Sequence, residues 1–311
     1  MLPVHDVFKA LSGGAGLPDY VKNIVWNFRI PKATVAMLAG MGLSVSGLQM
    51  QTIFRNPLAD PYVLGISSGA GLGVALLMLG MSWFGLSESM LWLRSLSLTA
   101  AGWLGAMAVL GIVLAASVRL RDTMSILILG IMLGGAVSAA VGVLQYFSAA
   151  NVLKHYVLWT MGSFSNVLPN DLWILILAVF AGLLIAFICM KPMNVLLLGE
   201  IYAQSVGMNV RRTRSLIFTG AGLLAGAVTA FCGPIGFIGI AVPHVARMLF
   251  RNANHHILLP ATVLLGGSIM LLCDIIAQLP GSDSVLPINT ITALMGLPVI
   301  IIIIFRNHRT F

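Results

Sequence analysis

Charge is what this 311-residue chain has least of: 17 Lys and Arg and 9 Asp and Glu make up 8% of it. A soluble domain carries about 25% charged residues. With 59% hydrophobic residues and a mean hydropathy of +1.01, a water-solvated globule is excluded. Cysteine is nearly absent too. Cys189, Cys232 and Cys273 stand far apart with no paired spacing, which leaves no disulfide framework and no thiolate metal site. The six His are scattered, and His255-His256 reads as a solvated turn. Glutamate occurs only at Glu88 and Glu200, and no Lys follows a Gly, so no phosphate-binding loop exists and the chain cannot itself bind ATP that way. Nothing groups carboxylates, His/Cys or an activated Ser as an intramembrane enzyme requires.

What is present is apolar sequence in long runs. Nine stretches, 33–53, 62–81, 95–117, 123–149, 171–190, 215–232, 234–248, 258–278 and 288–305, are almost free of charge. Roughly 20 helical residues cross a hydrocarbon core. The expectation is an all-α polytopic membrane protein with nine transmembrane helices. Charge then orients it. Assigned alternately, the connecting segments place eleven of the 17 basic residues on one side (Arg55, Arg119, Arg121, Lys191, Arg211, Arg212, Arg214, Arg247, Arg251, Arg306, Arg309). The remaining six (Lys9, Lys22, Arg29, Lys32, Arg94, Lys154) fall on the other. The richer side is cytoplasmic, with the C-terminus. Residues 1–28 then form an external segment ahead of a single membrane domain, 29–311, although Ile24–Phe28 is far too short to carry that segment across. A further helix ahead of Met1 is one expectation; an external N-terminus is the other. The net charge of +8 calls for membrane lipid, not nucleic acid.

Glycine supplies the texture. Pairs four apart (Gly65/Gly69, Gly69/Gly73, Gly130/Gly134, Gly222/Gly226) allow close helix contact in lipid. The denser cluster from Gly65 to Gly73 reads as a helix starting beside irregular backbone. Gly40, Gly42, Asn56-Pro57-Leu58 and Leu64-Gly65 are weakly echoed by Gly220, Gly222, Gly233-Pro234-Ile235 and Ile238-Gly239 in the opposite orientation, the pattern of an inverted repeat. The cytoplasmic segment 191–214 is not a polar linker: Leu196–Leu198, Ile201 and Val206 are broken by Gly199 and Gly207, as two short helices around a hinge that present apolar residues to a partner. The alternative is an amphipathic helix lying on the bilayer.

Gly199, Glu200, Ala203 and Gly207 in that spacing resemble the coupling loop of ABC importer permeases. Arg29-Ile30-Pro31-Lys32 is similar to one branch of them, the FecCD-type permeases for iron-siderophores, haem and cobalamin. So are Gly47 with Gln49, Asn56 through Pro61, Leu64 through Gly71, Lys191 through Asn194, Gly233 through Arg247, Leu286-Pro287, and Gly296 with Pro298. The resemblance implies ten helices per subunit, a second copy of the chain, two cytoplasmic ATPase subunits that carry ATP and magnesium, an external solute-binding protein, and a bacterial inner-membrane location. No cofactor is implied on this chain. The resemblance makes Gly199, Glu200, Ala203, Gly207, Met208, Arg211 and Arg212 the ATPase-coupling set, and Arg29 and Lys32 the binding-protein contacts. It places Ser67, Ser68, Thr123, Ser125 and Asn289 along the path or gate, with the path between two copies of 123–149. Iron-siderophore is the expected cargo, with haem or cobalamin as alternatives. A competing reading is an ion-coupled secondary transporter using Asp274 for protons.

Overall fold

The computed structural model describes residues 3–12, 17–80, 94–120, 122–165, 167, 169–279 and 285–307. Glu88, Arg121 and Arg309 lie outside them. Each apolar stretch becomes a helix, because backbone polar groups in hydrocarbon are satisfied only within the segment. The long ones are α3 (Ile30–Phe54), α5 (Arg94–Arg119), α6 (Thr123–Tyr146), α8 (Pro169–Ile188), α11 (Val210–Cys232), α13 (His255–Ala277) and α14 (Ile288–Asn307). Shorter ones are α1 (Val4–Leu11), α2 (Asp19–Ile24), α4 (Ile66–Met78), α7 (Ala150–Thr160), α9 (Met190–Leu197), α10 (Glu200–Ser205) and α12 (Ile238–Phe250).

The expected count of nine spans is not reached on length. Six helices are long and apolar enough to cross a membrane, while Ile66–Met78, Ile238–Phe250 and Ile288–Ile301 are shorter. At about 1.5 Å per residue, the 13-residue α4 and α12 reach only some 20 Å. Each is a half-length helix entered from irregular backbone. Before α4 the chain leaves α3 through a left-handed Arg55 and makes a 3₁₀ turn, Pro61–Leu64, capped by the Asp60 carboxylate, which accepts from Tyr62 N. Before α12, Gly233 (φ +77°) and Pro234 stop α11, and Phe237 takes a left-handed φ of +70°.

These half-helices sit at equivalent places in two inverted halves. α3 packs on α13 as α11 packs on α5; α3 meets α12 as α11 meets α4; α6 covers α4 as α14 covers α12. α3 and α11 form the centre, buried over 78% of their spanning windows against 11% for α6. The helices approach through small residues. A Cβ on Gly40 would stand 2.1 Å from the Gly266 carbonyl oxygen, and one on Gly105 would stand 2.1 Å from that of Gly69.

The N-terminal segment departs from expectation at its end. α2 continues through a π-helical turn, Val25–Arg29, into α3, so one helix of 36 residues runs from Asp19 to Phe54 and crosses the expected boundary at 28/29. The wider turn accommodates Pro31, which has no N–H to donate. The α2 end reaches the same end of the bundle as the last turn of α7 and residues 285–287, since Lys32 shares a cavity with Leu158, Met161, Leu286 and Pro287.

Candidate functional site: the coupling platform and the gate helix

Residues 190–214 build a platform at the end of the bundle where α3 finishes. α9 stops at Leu197 because Gly199, with φ +121°, turns the chain; α10 follows and ends at Gly207, φ +83°. A Cβ at Gly199 would lie 2.9 Å from an Arg55 Nη2, and that guanidinium donates twice to the Leu196 carbonyl. The loop is thus pinned to the end of α3. Its apolar residues face out: Leu198 is 66% exposed and Ile201 86%, with Leu197, Tyr202 and Val206 beside them. Arg211 and Arg212 are exposed at the start of α11, whose first turn Asn209 caps by accepting from Arg212 N. Ala203 is fully buried and accepts from the half-buried Met208, closing the turn beneath.

Glu200 does not join that outward face. Its carboxylate Oε1 accepts from Arg214 Nη2 and from Thr123 Oγ1, both at 2.8 Å. Arg214 is 3% exposed, and its Nη1 reaches the Leu120 carbonyl at 3.4 Å. Asp122, just before Thr123, caps α6 by accepting from Met124 N and Ser125 N, and Ser125 Oγ donates to the same carboxylate. The structure therefore brings Thr123 to the coupling loop and ties Ser125 to its own helix start.

The other expected site residues lie elsewhere. Ser67 and Ser68 line a cavity of about 330 Å³ with Ser138, Gln145, Tyr156 and Trp159, between α4, α6 and α7. Asn289 holds a turn: its side-chain oxygen accepts from Gly236 N, and its own N–H donates to Met161 O. Arg29 is exposed, as a docking residue must be. Lys32 is instead engaged within the chain, its Nζ 3.0 Å from the Asp274 carboxylate, which also accepts from Gln278 Nε2. His255, expected to be solvated, is 1% exposed, with Nδ1 against Asn194 Oδ1 and Nε2 against Thr52 Oγ1. It pins α9 and α13 to the end of α3, which only the tertiary packing dictates.

Sequence reasoning missed the partners in these links. Arg214 was visible as a charge entering an apolar helix; Thr52, Asn194 and Gln51, which accepts from Arg247 Nη1 at 2.6 Å, gave no local signal. Among the described residues, no group of three His, Cys, Asp or Glu forms a metal cluster.

Comparison with known proteins follows the same outline. A family profile described as the FecCD transport family matches residues 1–306. The vitamin B12 import system permease protein BtuC of Klebsiella pneumoniae is 35% identical over 294 residues, covering 91% of this chain and 83% of the relative. Its counterpart in Escherichia coli O9:H4 is 36% identical over 286 residues, 92% of this chain and 84% of the relative. Among solved structures, a metal-chelate type ABC transporter in an inward-facing conformation superposes with a TM-score of 0.84 at 30% identity, covering 97% of this chain and 96% of its own. PsaBC from Streptococcus pneumoniae, solved with a Fab, shares the fold with a TM-score of 0.57 at 14% identity, over 91% and 94%.

Proposed function

Since the chain belongs to the FecCD transport family, we propose that it forms, with a second copy of itself, the path for a large metal chelate of the cobalamin class. It is a permease subunit of an ABC importer, multi-pass in the bacterial inner membrane, and ATP hydrolysis belongs to a separate subunit. Two cytoplasmic ATPases dock on the platform, and an external binding protein delivers cargo at the end bearing Arg29. The observation that carries the docking assignment is the outward row Leu198, Ile201 and Val206 beside exposed Arg211 and Arg212, an apolar patch with a basic rim. Cobalamin as cargo is supported by the names of the 35–36% identical relatives. It takes precedence over iron-siderophore, for which no residue speaks.

Pairing of two copies is supported by α6, whose Met124, Ile128, Ile131, Met132 and Val143 stand exposed. The cytoplasmic C-terminus rests on the charge distribution. Proton coupling through Asp274 is disfavoured, because Lys32 and Gln278 already occupy its carboxylate.

The test is uptake into proteoliposomes holding the chain with its ATPase and binding protein. Labelled cyanocobalamin should enter only with ATP. Uptake of a ferric siderophore in its place overturns the cargo, and uptake driven by a proton gradient without ATP overturns the class.

A further inference from the structure

Glu200 lies in the coupling loop yet points into the bundle, and it is the first residue of α10. The first residue of α6 is Thr123, whose hydroxyl donates to the Glu200 carboxylate across 77 positions of sequence. Along the chain, α10 leads through Gly207 into α11, which packs on α3, α5 and α8. Side-chain bonding joins α10 to the beginning of α6 directly. Arg214, at the start of α11, completes the junction: one guanidinium binds Glu200 and the Leu120 carbonyl, so the end of α5, the start of α6, α10 and α11 meet at one ion pair.

We infer that Glu200 is the positioning residue that transmits movement of α10 to the inner end of α6, acting as a joint with Arg214 and Thr123 rather than as an ATPase contact. This rests on the importer reading for its motor, and the geometry gives its mechanics. The Arg214 side chain is 4% exposed and that of Glu200 32%, so the pair is partly withdrawn from water and weakly screened. Both bonds to Glu200 are 2.8 Å and assisted by charge, which makes them short, directional and hard to stretch. The neighbouring platform residues Ile201 and Tyr202 point outward and receive the push. Glu200 points inward and passes it on. At the far side of the bond Asp122 caps the α6 helix, so displacement of Thr123 carries the first turn with it and does not unwind it. α6 covers α4 and lines the cavity with Ser67 and Ser68, so the motion delivered at Thr123 ends where cargo passes.

The experiment uses the complete importer in proteoliposomes and measures uptake and ATP hydrolysis together. Glu200→Ala and Thr123→Val should each lower uptake per ATP by roughly fivefold or more, the low end of a coupling between two sites. The ATPase should still co-purify, Glu200→Gln should restore part of the ratio, and the double variant should be no worse than Glu200→Ala alone. Unchanged uptake per ATP overturns the joint. Loss of the ATPase on Glu200→Ala also overturns it, by placing Glu200 on the docking face. In membranes holding the chain alone, a Glu200→Cys, Thr123→Cys pair should be bridged by a short bis-methanethiosulfonate reagent over a background of three buried native cysteines. Failure of that bridge refutes the joint. If the wild type shows no ATP-driven uptake the importer reading fails, and the bridge alone decides the joint.

Discussion

At Gly207 nothing lies within 4 Å of where a Cβ would stand, yet φ is +83°. A side chain there meets no clash; it meets a backbone conformation that costs an L-residue about 1–2 kcal/mol. Gly207→Leu should therefore relax the turn between α10 and α11 and lower uptake per ATP, with the protein folded and ATP still hydrolysed. Wild-type coupling in that variant would remove the loop's role. Lys32 poses the opposite case, a charge with a partner. Lys32→Ala leaves Asp274, 8% exposed, without its cation and should cost about 1–3 kcal/mol. Adding Asp274→Asn should recover part of it, as thermal unfolding in detergent would report. A destabilised double variant would show that the pair is not the cause. Arg29, exposed and unburdened by that pairing, is left as the docking charge. Arg29→Glu should weaken capture of the binding protein, and added salt should weaken the wild-type complex as well.

Between elements, close packing of backbones sets the tolerance. α3 and α13 meet at Gly40 and Gly266 with no room for a methyl group, since backbone atoms on one side would have to move. Gly40→Val should abolish the monodisperse folded protein or lower its melting temperature sharply. On α5, Gly111 has nothing within 4 Å, and Gly111→Ala should be neutral or stabilising by up to about 1 kcal/mol. Equal effects of the two substitutions would refute the packing argument. The same crowding explains why α4 and α12 can stop short of a full span. Their irregular entries are buried in protein: the Tyr62 hydroxyl accepts from Ile235 N, and Asn289 accepts from Gly236 N, so each half-helix entry is held by a residue from elsewhere in the chain.

For the whole molecule the deciding property is sidedness. The platform around Ile201 and the Lys32–Asp274 cavity lie at opposite ends, because α3 has Lys32 in its first turn and Arg55 against Leu196 at its end. In cells, a cysteine at exposed Lys154 should react with an impermeant thiol reagent from outside, and one at Ile201 should react only after permeabilisation. The reverse pattern would remove Arg29 from the binding-protein side. Ile201→Asp should strip the ATPase from the folded permease, because it puts a carboxylate in the middle of the apolar docking face.

The sequence alone determined the membrane class, the places of the helices, the hinge glycines of the coupling loop and the family likeness, since each depends on local apolar length or on short-range motif spacing. The half-length α4 and α12 were legible only as a glycine cluster and a weak echo; their true length required knowing which backbone the neighbouring helices would cover. Tertiary structure decided what the polar residues do. Glu200 turns inward to Thr123, Lys32 finds Asp274 and His255 sinks between Thr52 and Asn194. In a protein this poor in charge every such group must be paired where the surroundings are apolar. Which partner it meets depends on how distant helices cross, and no local pattern records that.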